Sequence, residues 1–262
     1  MNIVVCIKQV PDTTEIKIDP VKNTLIRTGV PSIMNPFDKN ALEQALRVKE
    51  KNGGTVTVIS MGPDQAKTVL REALAMGADK AYLVTDRAFG GSDTYATSYI
   101  LSQVIKKIGP FDVILGGIQA IDGDTGQTAS SIAEHLGLNR VSYVLDMEKK
   151  DDKVIIKRKV EEGVVVLEAK LPVLVTSLKE SNKPRYRTIK GVIDALKADI
   201  PEIRFADLPG IDETKIGLKG SPTRVKATFT PKRNATGEVM EAVNPQETAK
   251  SLIGKLVEAK LL

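Results

Sequence analysis

Tryptophan is absent from this sequence, and cysteine and histidine occur once each, as Cys6 and His135. A lone cysteine excludes an intrachain disulfide and a cysteine-rich metal centre, and a lone histidine excludes a multi-histidine metal site. Aromatic residues make up only 4% of the chain, so the core must be aliphatic. No apolar run is long enough to span a bilayer. The N-terminus "MNIVVCIKQV" reads as a strand from residue 2, without the pattern of a secretion signal. Charge of one sign is scarce too. The net charge of +5 is mild and interleaved, without the basic clusters and aromatics of a nucleic-acid binder. Neither a G-x-G-x-x-G fingerprint nor a Walker A loop occurs. These absences leave an expectation of a cytoplasmic protein that binds neither membrane nor nucleic acid.

What is present alternates between two periods. Short β-branched runs at 2–7, 54–60, 80–85 and 111–117 read as strands. Helical patterns separate them at 36–51, 64–77, 93–108 and 125–136. Ala41, Leu42, Ala45, Leu46 and Val48 form the stripe of the first helix, and Gly77 ends the second as a C-cap. Nearly continuous apolar strands between amphipathic helices predict a parallel sheet covered on both faces. Between the first strand and helix, extended pieces around Pro20 to Asn23 read as a hairpin. From residue 141 the helical stripe disappears, and three or four strands joined by "KKDDK" and "EEG" turns extend the sheet. A short helix follows at roughly 188–198. This divides the chain into an α/β domain over 1–204 and an extended arm over 205–262 that ends in a helix and packs on another subunit.

Two loops carry more hydrogen-bonding groups than turns need. The stretch "LGGIQAIDGDTGQT" follows the fourth strand and holds Gly116, Gly117, Gln119, Asp122, Gly123, Asp124, Thr125, Gly126, Gln127 and Thr128. Ligands of open α/β sheets bind beyond the carboxyl ends of strands, and helix-start amides hold phosphate. A capping box with Asp124 as N-cap and Gln127 reaching back explains two of these residues. The excess points to a nucleotide, with Gly126, Gln127 and Thr128 toward phosphate and Asp122 and Asp124 capping the helix or binding ribose or base. The second loop, "DRAFGGSDTYATS", has Gly90 and Gly91 for close backbone approach, and Ser92 or Asp93 to cap the next helix. Thr94, Thr97 and Ser98 then place hydroxyls on its first turns. Two such loops on neighbouring strand ends suggest one ligand longer than a mononucleotide.

Other polar residues have plainer readings. Asn35 before Pro36 fits an N-cap ahead of an N1 proline. "VISMGP" ends a strand in a turn whose backbone could bind an adenine edge. Cys6 reads as an inert mid-strand thiol, and His135 as a contact to a helix C-terminus. No nucleophile–base pair and no metal-ligand cluster is visible.

Taken together, "VCIKQVPD", "IMNPFDKNALEQALRVKE", "SMGP", "ALAMGADKAYLV", "GGIQAIDGDTGQT", "KVEEGVVVLEAKLPVLVTSL" and "NKPRYRTIKGV" resemble the β subunit of electron transfer flavoproteins over nearly the whole chain. The resemblance implies a Rossmann-like (adenine nucleotide α-hydrolase-like) fold and a heterodimer with an α subunit. It implies a nucleotide site at positions matching Cys6, Ile7, Lys8, Asn35, Asp38, Met61, Gly62 and the Gly117 to Thr128 loop, Ala120 included. In the mitochondrial type this site holds AMP; in the electron-bifurcating, NADH-using type it holds a second FAD. The "FGGSDTYATS" loop looks like that of the bifurcating members. On that comparison Thr94 and Thr97, with Asp93 nearby, are expected at the flavin end. Electrons would pass from NADH to an acyl-CoA dehydrogenase and to ferredoxin or flavodoxin. The family's partner-docking loop matches residues 177–200, with Ile189 as the apolar anchor between Arg187 and Lys190.

Overall fold

The computed structural model describes residues 1–12, 31–226, 237, 239–240 and 244–262. The hairpin expected around Pro20 to Asn23 lies outside the described residues. The strands are β1 (Asn2–Cys6), β2 (Gln9–Pro11), β3 (Ser32–Met34), β4 (Thr55–Met61), β5 (Lys80–Val84), β6 (Val113–Gly117), β7 (Asn139–Lys150), β8 (Lys153–Val160), β9 (Gly163–Lys170), β10 (Val173–Ser177) and β11 (Glu202–Ile203). The helices are α1 (Pro36–Asn52), α2 (Lys67–Met76), α3 (Thr94–Ile108), α4 (Thr128–Leu136), α5 (Ile189–Lys197), α6 (Gly217–Gly220) and α7 (Pro245–Glu258). Among the described residues β2 and β3 pair only with each other, antiparallel.

One nine-stranded sheet, in the order β11-β5-β4-β1-β6-β10-β7-β8-β9, organises the first compact unit. It is parallel from β11 through β7 and becomes antiparallel at β8 and β9. Strand periodicity sorts the apolar side chains onto two faces. Ile3 and Val5 of β1 join α1 and α2 residues such as Leu42, Leu46 and Leu70 in one core. Val4 joins Ile100, Val104 and Ile132 of α3 and α4 in the other. The mononucleotide-binding pattern therefore switches direction between β1 and β6. A crevice opens there, beyond the strands' carboxyl ends.

The expected α/β architecture and antiparallel extension stand, with one change at the far end. The first compact unit runs to Lys226 and not to residue 204. Leu208 and Ile216 are buried in the α3–α4 core, and Phe205 N–H donates to Asp86 Oδ2 at 3.1 Å. The stretch read as the beginning of an arm contributes few apolar residues, but those few seal an existing core. The second unit, 227–262, contains α7. Asn244 caps it by accepting from Gln246 N–H, and Leu252, Ile253 and Val257 are exposed on one stripe.

Candidate functional site

A cavity of about 1090 Å³ occupies the crevice. Ligand pockets are typically about 300–1,000 Å³, so this one exceeds the needs of a mononucleotide. Both polar loops line it. The first contributes Gly117, Gln119, Ala120, Gly123, Asp124, Thr125, Gly126, Gln127 and Thr128; the second contributes Gly90, Gly91, Asp93, Thr94 and Thr97. Cys6, Ile7, Lys8 and Asp38 line the β1 side, and Met61 and Gly62 the β4 end. Thr94 Oγ1 and Thr125 Oγ1 stand 3.4 Å apart, so the two loops meet across the cavity.

The first loop is anchored from behind. Asp38, in the first turn of α1, is buried. Its Oδ2 accepts from Lys8 N–H at 2.8 Å and its Oδ1 from Gly117 N–H at 3.0 Å. One carboxylate thus ties the ends of β1 and β6 to the helix that crosses them. The approach is so close that a Cβ on Gly117 would fall 2.5 Å from Asp38 Oδ1 and 2.6 Å from Phe37 Cβ. Desolvation lifts the Asp38 pKa to about 7, although the two amides and Lys8 favour its charged form. Asn35 is fully buried and precedes Pro36 as expected, but its side chain does not cap α1. Its Nδ2 donates to Gln119 O at 2.8 Å, and its Oδ1 accepts from Ile121 N–H at 3.3 Å. Asn35 therefore sits behind the cavity wall and shapes it.

The expected capping box is absent. α4 begins at Thr128, and Gln127 in the N-cap position makes no side-chain cap. Asp124 adopts φ 48° and its Oδ1 accepts from Gln119 Nε2 at 3.0 Å. Asp122 also does not cap; the cavity-lining Lys8 binds it through Nζ at 2.7 Å, and Asp122 itself is not part of the lining. The loop's two carboxylates are thus engaged by Gln119 and Lys8, and the α4 amides are left without a side-chain cap. Thr128 and Ala129, at that helix start, face the cavity. A helix N-terminus without its own cap is a fitting place for an anion.

In the second loop Asp93, not Ser92, caps α3, accepting from Ala96 N–H at 3.0 Å. Its other oxygen accepts from Thr223, so the carboxylate expected beside a ligand serves the fold. Cys6 closes β1 and lies at the cavity wall, not mid-strand. Desolvation and the neighbouring Asp38 push its thiol up to about 12, which matches an inert group. His135 is wedged edge-on between Tyr95 and Tyr99, with ring centroids 5.3 and 5.5 Å away. Desolvation, with Lys106 and Lys215, lowers its pKa. His135 lies in the last turn of α4 as expected, but this environment disfavours the charged form that would interact most with the helix end.

Arg204, Arg87 and Phe89 also line the cavity but were not marked in the sequence. Arg204 arrives through the pairing of β11 with β5, a long-range contact with no local signal. Arg187, Ile189 and Lys190 lie apart from the cavity lining, on a solvent-facing segment. Its base is held by Arg185, which binds Glu43 through Nε at 2.8 Å and also pairs with Glu50. Thr188 caps α5 by accepting from Gly191 N–H. Ile189 is 84% exposed, and Val192, Ile193 and Leu196 are exposed on the same helix. Ile189 is thus excluded from the core.

The fold and the two-loop crevice define a nucleotide-binding α/β protein of the doubly wound type. The chain matches the family described as "Electron transfer flavoprotein domain" over residues 22–208. It is 54% identical over 256 residues to the electron transfer flavoprotein subunit beta of Thermoanaerobacterium thermosaccharolyticum, covering 98% of each chain. It is 49% identical to the caffeyl-CoA reductase-Etf complex subunit CarD of Acetobacterium woodii, covering 100% of each. It is 46% identical to Protein FixA of Azotobacter vinelandii, covering 98% of this chain and 94% of that one. The chain belongs to the electron transfer flavoprotein family and is of the β-subunit type, which works with an α subunit. Among the described residues no helix is long and apolar enough to cross a membrane, and no cluster of metal-ligating side chains occurs.

Proposed function

We propose that the cavity holds FAD, with its adenylate end on the Gly117–Thr128 loop and its flavin end between Thr94 and Thr97. The carrying observation is that both loops line a single cavity of about 1090 Å³, larger than AMP requires. The uncapped start of α4 and the bare backbone at Gly126 suit a pyrophosphate, and the Thr94 and Thr97 hydroxyls suit a heteroaromatic ring edge. Bound there, FAD would supply hydride acceptance from NADH and onward transfer of single electrons. The chain's own task is to orient the cofactor, exclude water from its inner side and fix the hydrogen bonds along its ring. With an α subunit, the complex then serves an acyl-CoA dehydrogenase and a low-potential acceptor, ferredoxin or flavodoxin, by electron bifurcation. Residues 227–262 supply the contact to the α subunit, since the apolar stripe of α7 needs a cover. The exposed Ile189, flanked by Arg187 and Lys190, docks the acyl-CoA dehydrogenase.

Denaturing the purified α/β complex and separating the released nucleotides tests the reading. Two FAD per complex is the expected result. One FAD with one AMP would instead make this an AMP-holding structural subunit and end the bifurcation proposal.

A further inference from the structure

We propose that Asp93, Ser221 and Thr223 form a clasp that sets how long a nucleotide the cavity accepts, as positioning residues that touch no ligand. The inference rests on the two-loop reading above.

Among the described residues no polar side chain of α1 or of the sheet binds the second loop's backbone; its inner anchor is the apolar Phe89. Its internal bonds are local: Gly90 N–H donates to Arg87 O, and Ser92 Oγ–H to Phe89 O. Glycines 90 and 91 bring no side chain with which to hold the wall in place. Its remaining backbone groups are instead met from outside by residues 217–223. Leu218 N–H donates to Gly90 O at 3.1 Å, and Gly217 N–H to Ser92 Oγ at 3.0 Å. Asp93 N–H donates to Ser221 Oγ at 2.8 Å; that hydroxyl in turn reaches Gly217 O at 2.8 Å and lies 3.2 Å from Gly91 O. Thr223 closes the clasp, donating to Asp93 Oδ2 through N–H at 2.9 Å and through Oγ1–H at 2.7 Å.

Both carboxylate oxygens of Asp93 are engaged within the protein. Oδ1 starts α3 by accepting from Ala96 N–H, and Oδ2 accepts from Thr223. The first residue of that helix is Thr94, and Thr97 follows one turn later, both on the cavity wall. Where α3 begins therefore decides where these hydroxyls point, and the clasp decides where α3 begins. The loop at 117–128 is built separately, on Asn35 and Asp38. Loosening the clasp should cost the far end of a long ligand its wall while leaving the adenylate end intact.

The test is a titration of the α/β complex, depleted of exchangeable nucleotide with the α-subunit FAD left in place, using FAD and, separately, AMP. Thr223→Val keeps the branched shape and removes the hydroxyl; Ser221→Ala removes the other. Each should weaken FAD binding about ten-fold, the factor expected for one hydrogen bond to or near a charged group. AMP affinity should stay within about two-fold, and Thr223→Ser should restore FAD binding. Equal losses for FAD and AMP, or no loss for either, would overturn the clasp. A wild-type complex that takes AMP but no FAD would refute the two-loop reading itself, before any substitution is compared.

Discussion

The two loops that line the cavity are built in opposite ways. The Gly117–Thr128 loop is held from the inside. Buried Asn35 and Asp38, at the start of α1, bind its backbone across more than 75 residues of chain. The Gly90–Asp93 loop is held from the outside, by a segment that comes more than 120 residues later. Asp38 belongs to a helix packed on the sheet, whereas Ser221, though equally buried, and the exposed Thr223 come from a segment outside the sheet that can open locally without unfolding it. Nucleotide binding at the first loop should thus be a property of the fold, while reach to the second should be adjustable.

Four substitutions and one pH series sharpen this contrast. Gly117→Ala should have the largest effect, because its Cβ would meet Asp38 and the Phe37 backbone in a packed site. A loss of roughly 2–4 kcal/mol is expected, read by urea unfolding. Asp38→Ala should follow, at roughly 2–3 kcal/mol, since the amides of Lys8 and Gly117 lose their acceptor. Stability retained near wild type in either variant would break the inner-anchor account.

The pH series addresses the same carboxylate. With a folded-state pKa of about 7 against an ordinary value near 4, the fold retains the proton more strongly than the unfolded chain does. Its contribution is fully present below about pH 4 and is lost as pH rises through about 7. Measured without nucleotide, the stability of the wild type relative to Asp38→Asn should fall over that window and level off above it. A flat difference would show that the amides and Lys8 keep Asp38 ionised.

On the outer side the expected effects are smaller. Gly91 sits at φ +75°, and a Cβ there would approach the Leu218 side chain to 3.1 Å. Gly91→Ala should therefore cost about 1 kcal/mol in unfolding and weaken the longer ligand alone. A cost as large as that of Gly117→Ala would erase the distinction between the loops. The smallest effect on folding belongs to Ile189→Glu, below about 0.5 kcal/mol, because this side chain is exposed. Turnover with an acyl-CoA dehydrogenase should nonetheless drop, and unchanged turnover would remove Ile189 from docking.

Much of this was legible in residue order. The alternation of β-branched runs with amphipathic stripes specified the parallel sheet, since each period matches one kind of backbone. The glycine- and hydroxyl-rich loops marked where that sheet leaves a crevice. Their internal wiring was not legible. Asp124 looked like a helix cap, yet it accepts from Gln119, while Asp122 is held by Lys8, just beyond the end of β1. Local motifs presuppose that the nearest polar partner wins, and here partners brought from a distance win instead.

The chain's own order thus determined the layered α/β core and the positions of both polar turns, because propensity and hydrophobic period act over a few residues. Only the tertiary structure decided that Asn35 and Asp38 build one wall and Ser221 and Thr223 the other. Hydrogen bonds between segments so far apart exist only once the sheet has brought their ends together.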